Sequence, residues 1–195
     1  YGEGKHFSAG VDLSELSEQN DLIEGLRHSR MWHRILDGLQ FGSIPIITVL
    51  HGAVLGGGLE LASATHIRVA DRSAFYALPE GQRGIFVGGG GSVRIPRLIG
   101  MARMMDMMMT GRIYSAEEGM AVGLSQYLVD DGTGLDKAIE LAKKIASNAA
   151  ATNYALMHVL PRITDSNPEQ GLMMESLIAT ITKNTPEAKE RLKLF

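Results

Sequence analysis

The segment Leu55–Ala62 reads LGGGLELA, and it follows the run Ile46–Leu50, which reads IITVL. Isoleucine, threonine and valine favour extended backbone, so this run predicts a buried strand that ends at His51. Three consecutive glycines allow a sharp turn, and they let a ligand approach main-chain atoms without obstruction by side chains. The sequence therefore predicts a strand, a glycine turn and a helix that opens at the turn.

The start of that helix has the chemistry of a candidate site. The first N–H groups of a helix have no partner inside it and lie at the positive end of its dipole, so they suit an oxyanion or a phosphate. Glu60 lies one turn into the helix and is expected to face the same cavity, as a general base would. Taken alone, a glycine triplet is more often a packing turn, and a helical glutamate is more often an ordinary surface residue.

Two further segments contain candidate site residues. Leu78–Gly81 reads LPEG, and Pro79 restricts the backbone so that Glu80 is expected at the edge of a loop. Two carboxylates on separate elements can divide acid and base roles when one of them is desolvated and protonated. Phe7–Asp12 reads FSAGVD, and its small residues leave backbone N–H groups accessible. A glutamate such as Glu80 is, alone, more often solvated, so neither segment decides the function.

Several other features have ordinary interpretations. The run Gly88–Gly91 could cradle a phosphate, but the sequence lacks the G-x-x-x-x-G-K-[ST] motif. The histidines show no metal-ligand spacing, and His51 and His66 flank strands, where structural hydrogen bonds are more common than catalysis. We therefore predict no metal site. Trp32 is interpreted as a packing residue, and the methionines between 101 and 109 as core or subunit-contact residues.

Strands alternate with helices in the first part of the chain, and helices dominate the rest, which predicts an α/β fold with a helical C-terminal part. The predicted strands are Ile46–Leu50, Ile67–Ala70, Ala74–Ala77 and Leu124–Val129. The predicted helices are Asp21–Leu39, Val93–Leu98, Met101–Met109, Ala116–Ala121, Leu135–Ala149, Thr152–Ile163, Pro168–Thr182 and a short piece after Pro186.

Composition limits the classes of function. The sequence has no cysteine, which excludes disulfides, thiolate catalysis and cysteine-ligated zinc. A net charge of -3, with scattered lysines and arginines, argues against nucleic acid as a partner. The longest apolar run, Ile44–Leu50, is too short to span a membrane. We expect a cytoplasmic protein; the natural N-terminus is expected to be missing, so the mitochondrial matrix stays open.

Together, several segments in this order resemble the crotonase (enoyl-CoA hydratase/isomerase) superfamily, and they look most like enoyl-CoA hydratases. These segments are Gly4–Leu13, Pro45–Gly52, Ala53–Ala62, Leu78–Glu80, Ile95–Gly100 and Thr110–Leu124. The resemblance implies a spiral of ββα units over residues 1–130, with the first strands of the family missing. It implies a helical trimerisation region over residues 131–195, and a homotrimer or a dimer of trimers.

The resemblance also implies a site for an acyl-CoA thioester. Backbone N–H groups of Val11 and Gly57 would hold the thioester oxygen. Glu60 would deprotonate a water molecule, and Glu80 would exchange the proton at the α-carbon. Substrate contacts are implied for a further group of residues: Ala9, Gly10, Asp12, Leu13 and Gly56. No cofactor is implied, because coenzyme A is part of the substrate.

Departures from the family pattern and alternative reactions stay open. Arg83 follows Glu80 in a stretch where relatives are often more apolar, which weakens the case for a simple fatty-acyl substrate. The main alternative is another reaction of the family, such as double-bond isomerisation or hydratase–lyase chemistry on an aromatic acyl-CoA. The other alternative is a non-catalytic member that binds CoA thioesters or RNA. The presence of both Glu60 and Glu80 favours a hydratase over these alternatives.

Overall fold

The computed structural model describes residues 1–12, 14 and 21–194. By their contacts, these residues form two units. The first comprises Tyr1–Gln40 and Ile46–Ile139, and the second comprises Phe41–Pro45 and Glu140–Phe195. The predicted division into residues 1–130 and 131–195 differs from this contact-based one and stays a prediction. Strands and helices are mixed in the first unit, so the α/β class is confirmed.

The first unit contains two small sheets. Its elements are α1 (Leu22–Gln40), β1 (Ile47–Leu50), β2 (Ala53–Leu55), α2 (Gly57–Ser63), β3 (Ile67–Asp71), β4 (Phe75–Ala77), α3 (Gly91–Ile99), α4 (Met101–Thr110), β5 (Tyr114–Ser115), α5 (Ala116–Val122), β6 (Tyr127–Val129) and the start of α6 (Gly134–Ala146). One sheet has the order β1-β3-β6 with parallel pairs; in the other, β2-β4-β5, β4 pairs antiparallel with β5. The first four strands thus alternate between the two sheets.

The pairing of β2 determines where the site lies. Leu55 of β2 pairs with Ala77 of β4 in parallel register, so both strands end at the same edge. The glycine turn follows β2 at this edge, and Glu80 follows β4. On the other side of β2, Ser8 forms a parallel bridge with Val54. Three separate segments of the sequence therefore meet where β2 ends.

A continuous apolar core supports this edge. Its fully buried members include Leu50, Val54, Leu59, Tyr76, Leu78, Ile95, Met107 and Leu124. Burial of side chains of this size contributes about 1.5–3 kcal/mol each. Of the methionines between 101 and 109, Met104 and Met107 are buried in this core, which confirms the core part of their interpretation.

Some strands of the first unit differ from those predicted from the sequence. The predicted strand Leu124–Val129 begins only at Tyr127, because the Leu124 N–H donates to Gly119 O and so belongs to the end of α5. Strands β2 and β5 were missed, since each has three residues or fewer and little sequence pattern. The helix around Pro96 was predicted correctly.

The second unit is helical. Its elements are the remainder of α6, α7 (Ala150–His158), α8 (Leu160–Asp165), α9 (Pro168–Lys183) and α10 (Pro186–Leu192). The predicted single helix Thr152–Ile163 is wrong, because α7 ends at His158. Pro161 has no N–H to donate to Met157 O, and it stands in the first turn of α8, where a helix does not need that N–H. None of the helices in the described residues has the length and apolar character needed to cross a bilayer.

Candidate active site

A cavity of about 390 Å³ lies in the first unit, beside the end of β2. Four segments line it: the loop before α1, one face of α1, the glycine turn with the start of α2, and the chain from Glu80 to Gly89. The lining residues include Ser8, Ala9, Gly10, Val11, His28, Ser29, Trp32, Leu36, Gly56, Gly57, Glu60, Glu80, Arg83, Ile85, Phe86, Val87 and Gly89. The wall is largely apolar, which suits an organic ligand with few polar groups.

The predicted N–H donors lie side by side at this cavity. Gly57 is the first residue of α2, so its N–H has no acceptor within the helix. A Cβ atom on Gly57 would lie 3.4 Å from the Val11 nitrogen, and one on Gly10 would lie 3.3 Å from the Gly57 nitrogen. The structure therefore brings Val11 and Gly57 together. Their use as an oxyanion hole stays a prediction.

The glycine triplet serves both packing and the cavity. Gly56 has a φ of 50°, in the left-handed region that glycine tolerates, and its N–H donates to Ala77 O at 3.0 Å. A Cβ atom on Gly58 would lie 2.5 Å from Ser8 O, so only glycine lets α2 approach the loop this closely. The packing interpretation and the functional one are thus compatible at the same residues.

Glu60 is a buried carboxylate held by backbone donors. Glu60 is 5% exposed, and its Oε1 atom accepts hydrogen bonds from the N–H groups of Gly89 and Gly91, each at 2.8 Å. The alternative interpretation, an ordinary surface glutamate, is therefore wrong. The run Gly88–Gly91 directs two of its N–H groups at this side chain, a role that the sequence analysis missed.

Glu80 is buried in a different environment. Glu80 immediately precedes a 3-10 turn, Gly81–Arg83. Because Glu80 is only 9% exposed, its interpretation as a solvated loop residue is wrong. Its Oε2 atom is buried and has no hydrogen-bond partner among the described residues. Burial raises the pKa of Glu80, and the charge of Glu60 adds to the rise; a backbone hydrogen bond and the charge of Arg83 oppose it. The surroundings of Glu80 thus favour its protonated form more than water does.

The other predicted substrate-binding residues divide into three groups. Ala9, Gly10 and Gly56 line the cavity. Asp12 is exposed and lies outside the lining, and its Oδ1 atom accepts hydrogen bonds from the N–H and hydroxyl of Ser14. Leu13 lies outside the described residues. The predicted contacts of all these residues with a substrate stay predictions.

The α1 wall of the cavity was missed by sequence reasoning. Trp32, interpreted as a packing residue, lines the cavity, and its Nε1 donates to His28 Nε2 at 2.9 Å. Ser29 donates from its hydroxyl to Gly88 O at 2.6 Å, which fastens the glycine run to α1. The spacing of His28, Trp32 and Leu36 on one helical face was the available signal.

The histidine predictions can be compared with the structure in part. His66 accepts a hydrogen bond from the Ile46 N–H at Nδ1, and its Nε2 lies 3.0 Å from Gln40 O, so its structural role is confirmed. The carbonyl can only accept, so Nε2 bears the proton. Among the described residues, no cluster of three or more His, Asp or Glu side chains could hold a metal ion.

Comparison with known proteins covers the whole chain. Residues 1–195 match the sequence model of a family described as enoyl-CoA hydratase/isomerase. A Bacillus subtilis (strain 168) protein named "Probable enoyl-CoA hydratase" is 33% identical over 196 residues, which are 100% of this chain and 76% of that protein. The fatty acid oxidation complex subunit alpha of Shewanella amazonensis is 40% identical over 143 residues, which are 72% of this chain. The chain matches only 20% of that subunit's length.

Solved structures share the fold. A Rhodopseudomonas palustris CGA009 protein matches with a TM-score of 0.96 and 60% identity, covering 100% of this chain and 75% of that one. Enoyl-CoA hydratase from Bacillus anthracis matches with a TM-score of 0.90 and 34% identity, covering 98% of this chain and 74% of that one. The fold of this chain is thus shared with these proteins.

Proposed function

The chain belongs to the enoyl-CoA hydratase/isomerase family of the crotonase superfamily, and we propose that it is an enoyl-CoA hydratase, a lyase of the hydro-lyase class. The proposed reaction adds water across the double bond of a 2-enoyl-CoA thioester. One observation carries this proposal: two buried carboxylates, Glu60 and Glu80, line the same cavity as the Val11 and Gly57 backbone.

The proposed oxyanion hole uses the Val11 and Gly57 N–H groups. The thioester oxygen would accept a hydrogen bond from each, and the bonds would strengthen as the enolate develops on that oxygen. Fixed donors of this kind are worth about 100- to 1,000-fold in rate each, because they need no reorganisation during the reaction. The position of Gly57 at the start of α2 supports this role, since its N–H is free of helical hydrogen bonds.

The proposed proton transfers use the two carboxylates in opposite senses. Glu60, as the carboxylate, takes a proton from water, and the water oxygen forms a bond to the β-carbon. The electron pair of the double bond moves to give the enolate, and Glu80 then donates its proton to the α-carbon. Water is thereby added completely, with Glu60 protonated and Glu80 ionised. Proton exchange with solvent restores both residues.

The environments of the two carboxylates support this assignment. Two backbone N–H groups donate to Glu60 Oε1, which suits a negatively charged side chain. Glu80 Oε2 lacks a donor in the described residues, and burial raises the pKa of Glu80, which suits an acid. An isomerase moves a proton between two carbons and needs no second carboxylate to activate water. The pair therefore favours hydration.

Other properties follow as proposals. The substrate is an acyl-CoA thioester, no separate cofactor is used, and the protein works in the cytoplasm without nucleic acid or membrane partners. We propose a homotrimer or a dimer of trimers. Support comes from α9 of the second unit, where apolar side chains are more than half exposed at helical spacing: Leu172, Met173, Leu177 and Ile181. Apolar faces of this kind are typical of subunit contacts.

Ultraviolet absorbance of crotonyl-CoA mixed with the purified protein tests the function. We expect the conjugated enoyl-thioester band to disappear and 3-hydroxybutanoyl-CoA to form. An unchanged band, from a folded protein that binds CoA thioesters, would contradict hydration. A 3-enoyl-CoA that gains the conjugated band would identify an isomerase, and cleavage of an aromatic hydroxyacyl-CoA would identify a hydratase–lyase.

A further inference from the structure

Arg94, on α3, is a buried cation outside the cavity lining. Arg94 is 8% exposed. Its guanidinium forms hydrogen bonds toward two different elements. Toward α1, Nη2 pairs with Asp37 Oδ1 at 2.6 Å, and Nε donates to Gln40 Oε1 at 2.7 Å. Toward the glycine run, Nη1 donates to Gly89 O at 3.2 Å. One side chain thus joins α1 to the glycine run.

The glycine run continues this connection to Glu60. Gly89 accepts from Arg94 at its carbonyl and donates to Glu60 Oε1 from its N–H. Gly91, two residues further on, donates to the same oxygen. A Cβ atom on Gly90 would collide with Arg94 Nη1, so glycine is needed here for the guanidinium to approach. An unbroken series of hydrogen bonds therefore leads from Asp37 through Arg94 and Gly89 to Glu60.

We propose that Arg94 is a positioning residue for Glu60, because it holds the Gly89–Gly91 backbone against α1; this inference rests on the proposed function. Its planar guanidinium donates to three acceptors at once, which the single ammonium of lysine cannot do with the same geometry. Burial disfavours the charged guanidinium, and the charges of Asp37 and Glu60 favour it. Burial lowers the pKa of Arg94 overall, and Asp37 and Glu60 offset part of that effect.

Two consequences follow for catalysis. Without Arg94, the glycine run keeps the Ser29 bond to Gly88 O but loses the bond that holds Gly89, the residue that donates to Glu60. A displacement of about 1 Å in a catalytic group can reduce turnover about 100-fold. Substrate binding should be unaffected, because Val11 and Gly57 lie on other segments.

The test compares Arg94→Met, Arg94→Lys and a control, Arg72→Met. Arg72 also pairs with two carboxylates, those of Glu117 and Asp130, but it is exposed and outside the cavity lining. We expect Arg94→Met to lower kcat for crotonyl-CoA hydration about 100-fold with KM unchanged. Arg94→Lys should lower kcat as well, because one ammonium cannot donate to all three acceptors with the same geometry. Arg72→Met should match wild type in kcat and KM.

Amide hydrogen exchange in the unliganded protein gives a second measurement that does not depend on activity. We expect faster exchange at Gly89 and Gly91 in Arg94→Met and in Arg94→Lys, and none of this acceleration in Arg72→Met. Unchanged exchange in both Arg94 variants, or wild-type kcat in Arg94→Met, would overturn the inference. If wild type fails to hydrate crotonyl-CoA, the proposed function fails, while the exchange rates still show whether Arg94 holds the glycine run.

Discussion

Glu60 and Glu80 line the same cavity, but their carboxylates have opposite hydrogen-bonding environments. Glu60 lies on a helix, and its carboxylate accepts hydrogen bonds from two backbone N–H groups of the glycine run. Glu80 precedes a 3-10 turn, and one of its oxygens is buried without a partner in the described part of the chain. Two residues of one type can therefore be suited to opposite roles by their surroundings, one as carboxylate and one as acid.

The two environments also have different origins in the sequence. Glu80 is placed by its neighbours, since β4 ends at Ala77 and the chain turns at once. The donors to Glu60 come from a segment about thirty residues away, and Arg94 and Ser29 fasten that segment to α1. The position of the Glu60 carboxylate is thus expected to depend on residues distant in the sequence. The environment of Glu80 is expected to depend on local burial.

The largest expected effect comes from removing either carboxylate. Glu60→Gln and Glu80→Gln should each lower kcat for crotonyl-CoA hydration by about 100- to 10,000-fold, because each loses one proton transfer. KM should change little, since the backbone donors remain. Glu117→Gln is a matched control, because Glu117 is exposed and pairs with Arg72. Near-normal hydration by both cavity variants would show that the catalytic carboxylates are wrongly assigned.

A smaller effect is expected from the glycines that face Glu60. A Cβ atom on Gly91 would lie 2.8 Å from Glu60 Cγ, whereas one on Gly88 would have Ser29 Oγ, at 3.9 Å, as its only close neighbour. Gly91→Ala should therefore displace Glu60 and lower kcat about 100-fold, and Gly88→Ala should lower it far less. Steady-state kinetics of the two variants make the comparison. Equal kcat values would remove the argument that the glycine run holds Glu60.

The smallest effect concerns stability and its dependence on pH. The pKa of Glu80 is raised above 4.5 by burial, so folding favours the protonated form and wild type loses stability as pH rises through the raised pKa. Glu80→Gln cannot ionise and escapes this loss. Its Tm should therefore exceed that of wild type at pH 7, and each kcal/mol of this difference corresponds to about 2–4 °C at this chain length.

Thermal unfolding at pH 4 and pH 7 checks this prediction. The advantage of Glu80→Gln should shrink at pH 4, where most of the wild-type carboxyl is protonated in both states. Glu60→Gln should instead lower Tm at pH 7, because it replaces two charge-assisted hydrogen bonds with neutral ones. A Tm for Glu80→Gln that is below wild type at pH 7 and equal to it at pH 4 would mean that Glu80 is stabilised, rather than destabilised, by its surroundings.

The sequence was sufficient for the local parts of the site. A β-branched run, a glycine triplet and a glutamate one turn later predicted β1, the turn and α2, because each depends on nearby residues. The same holds for the helix through Pro96. Short strands such as β2 were not predicted, since three residues paired to distant strands leave little pattern in the sequence.

The parts that the sequence could not provide are the long-range contacts. Nothing local to Gly89 or Gly91 indicates that their N–H groups reach Glu60, and nothing local to Arg94 indicates that it joins α1 to that run. The lining by Trp32 likewise depends on how α1 packs. The spacing of residues along α1 indicated which of them share a helical face, but only the tertiary structure shows that this face borders the cavity.

Deuterium exchange at the α-carbon of butanoyl-CoA tests the division of roles most directly. This saturated thioester cannot be hydrated, so exchange in D₂O requires only the oxyanion donors and the residue that moves the α-proton. Wild type and Glu60→Gln should both incorporate deuterium at the α-carbon, and Glu80→Gln should lose this exchange. Exchange that persists in Glu80→Gln and disappears in Glu60→Gln would contradict the assignment of acid and base proposed here.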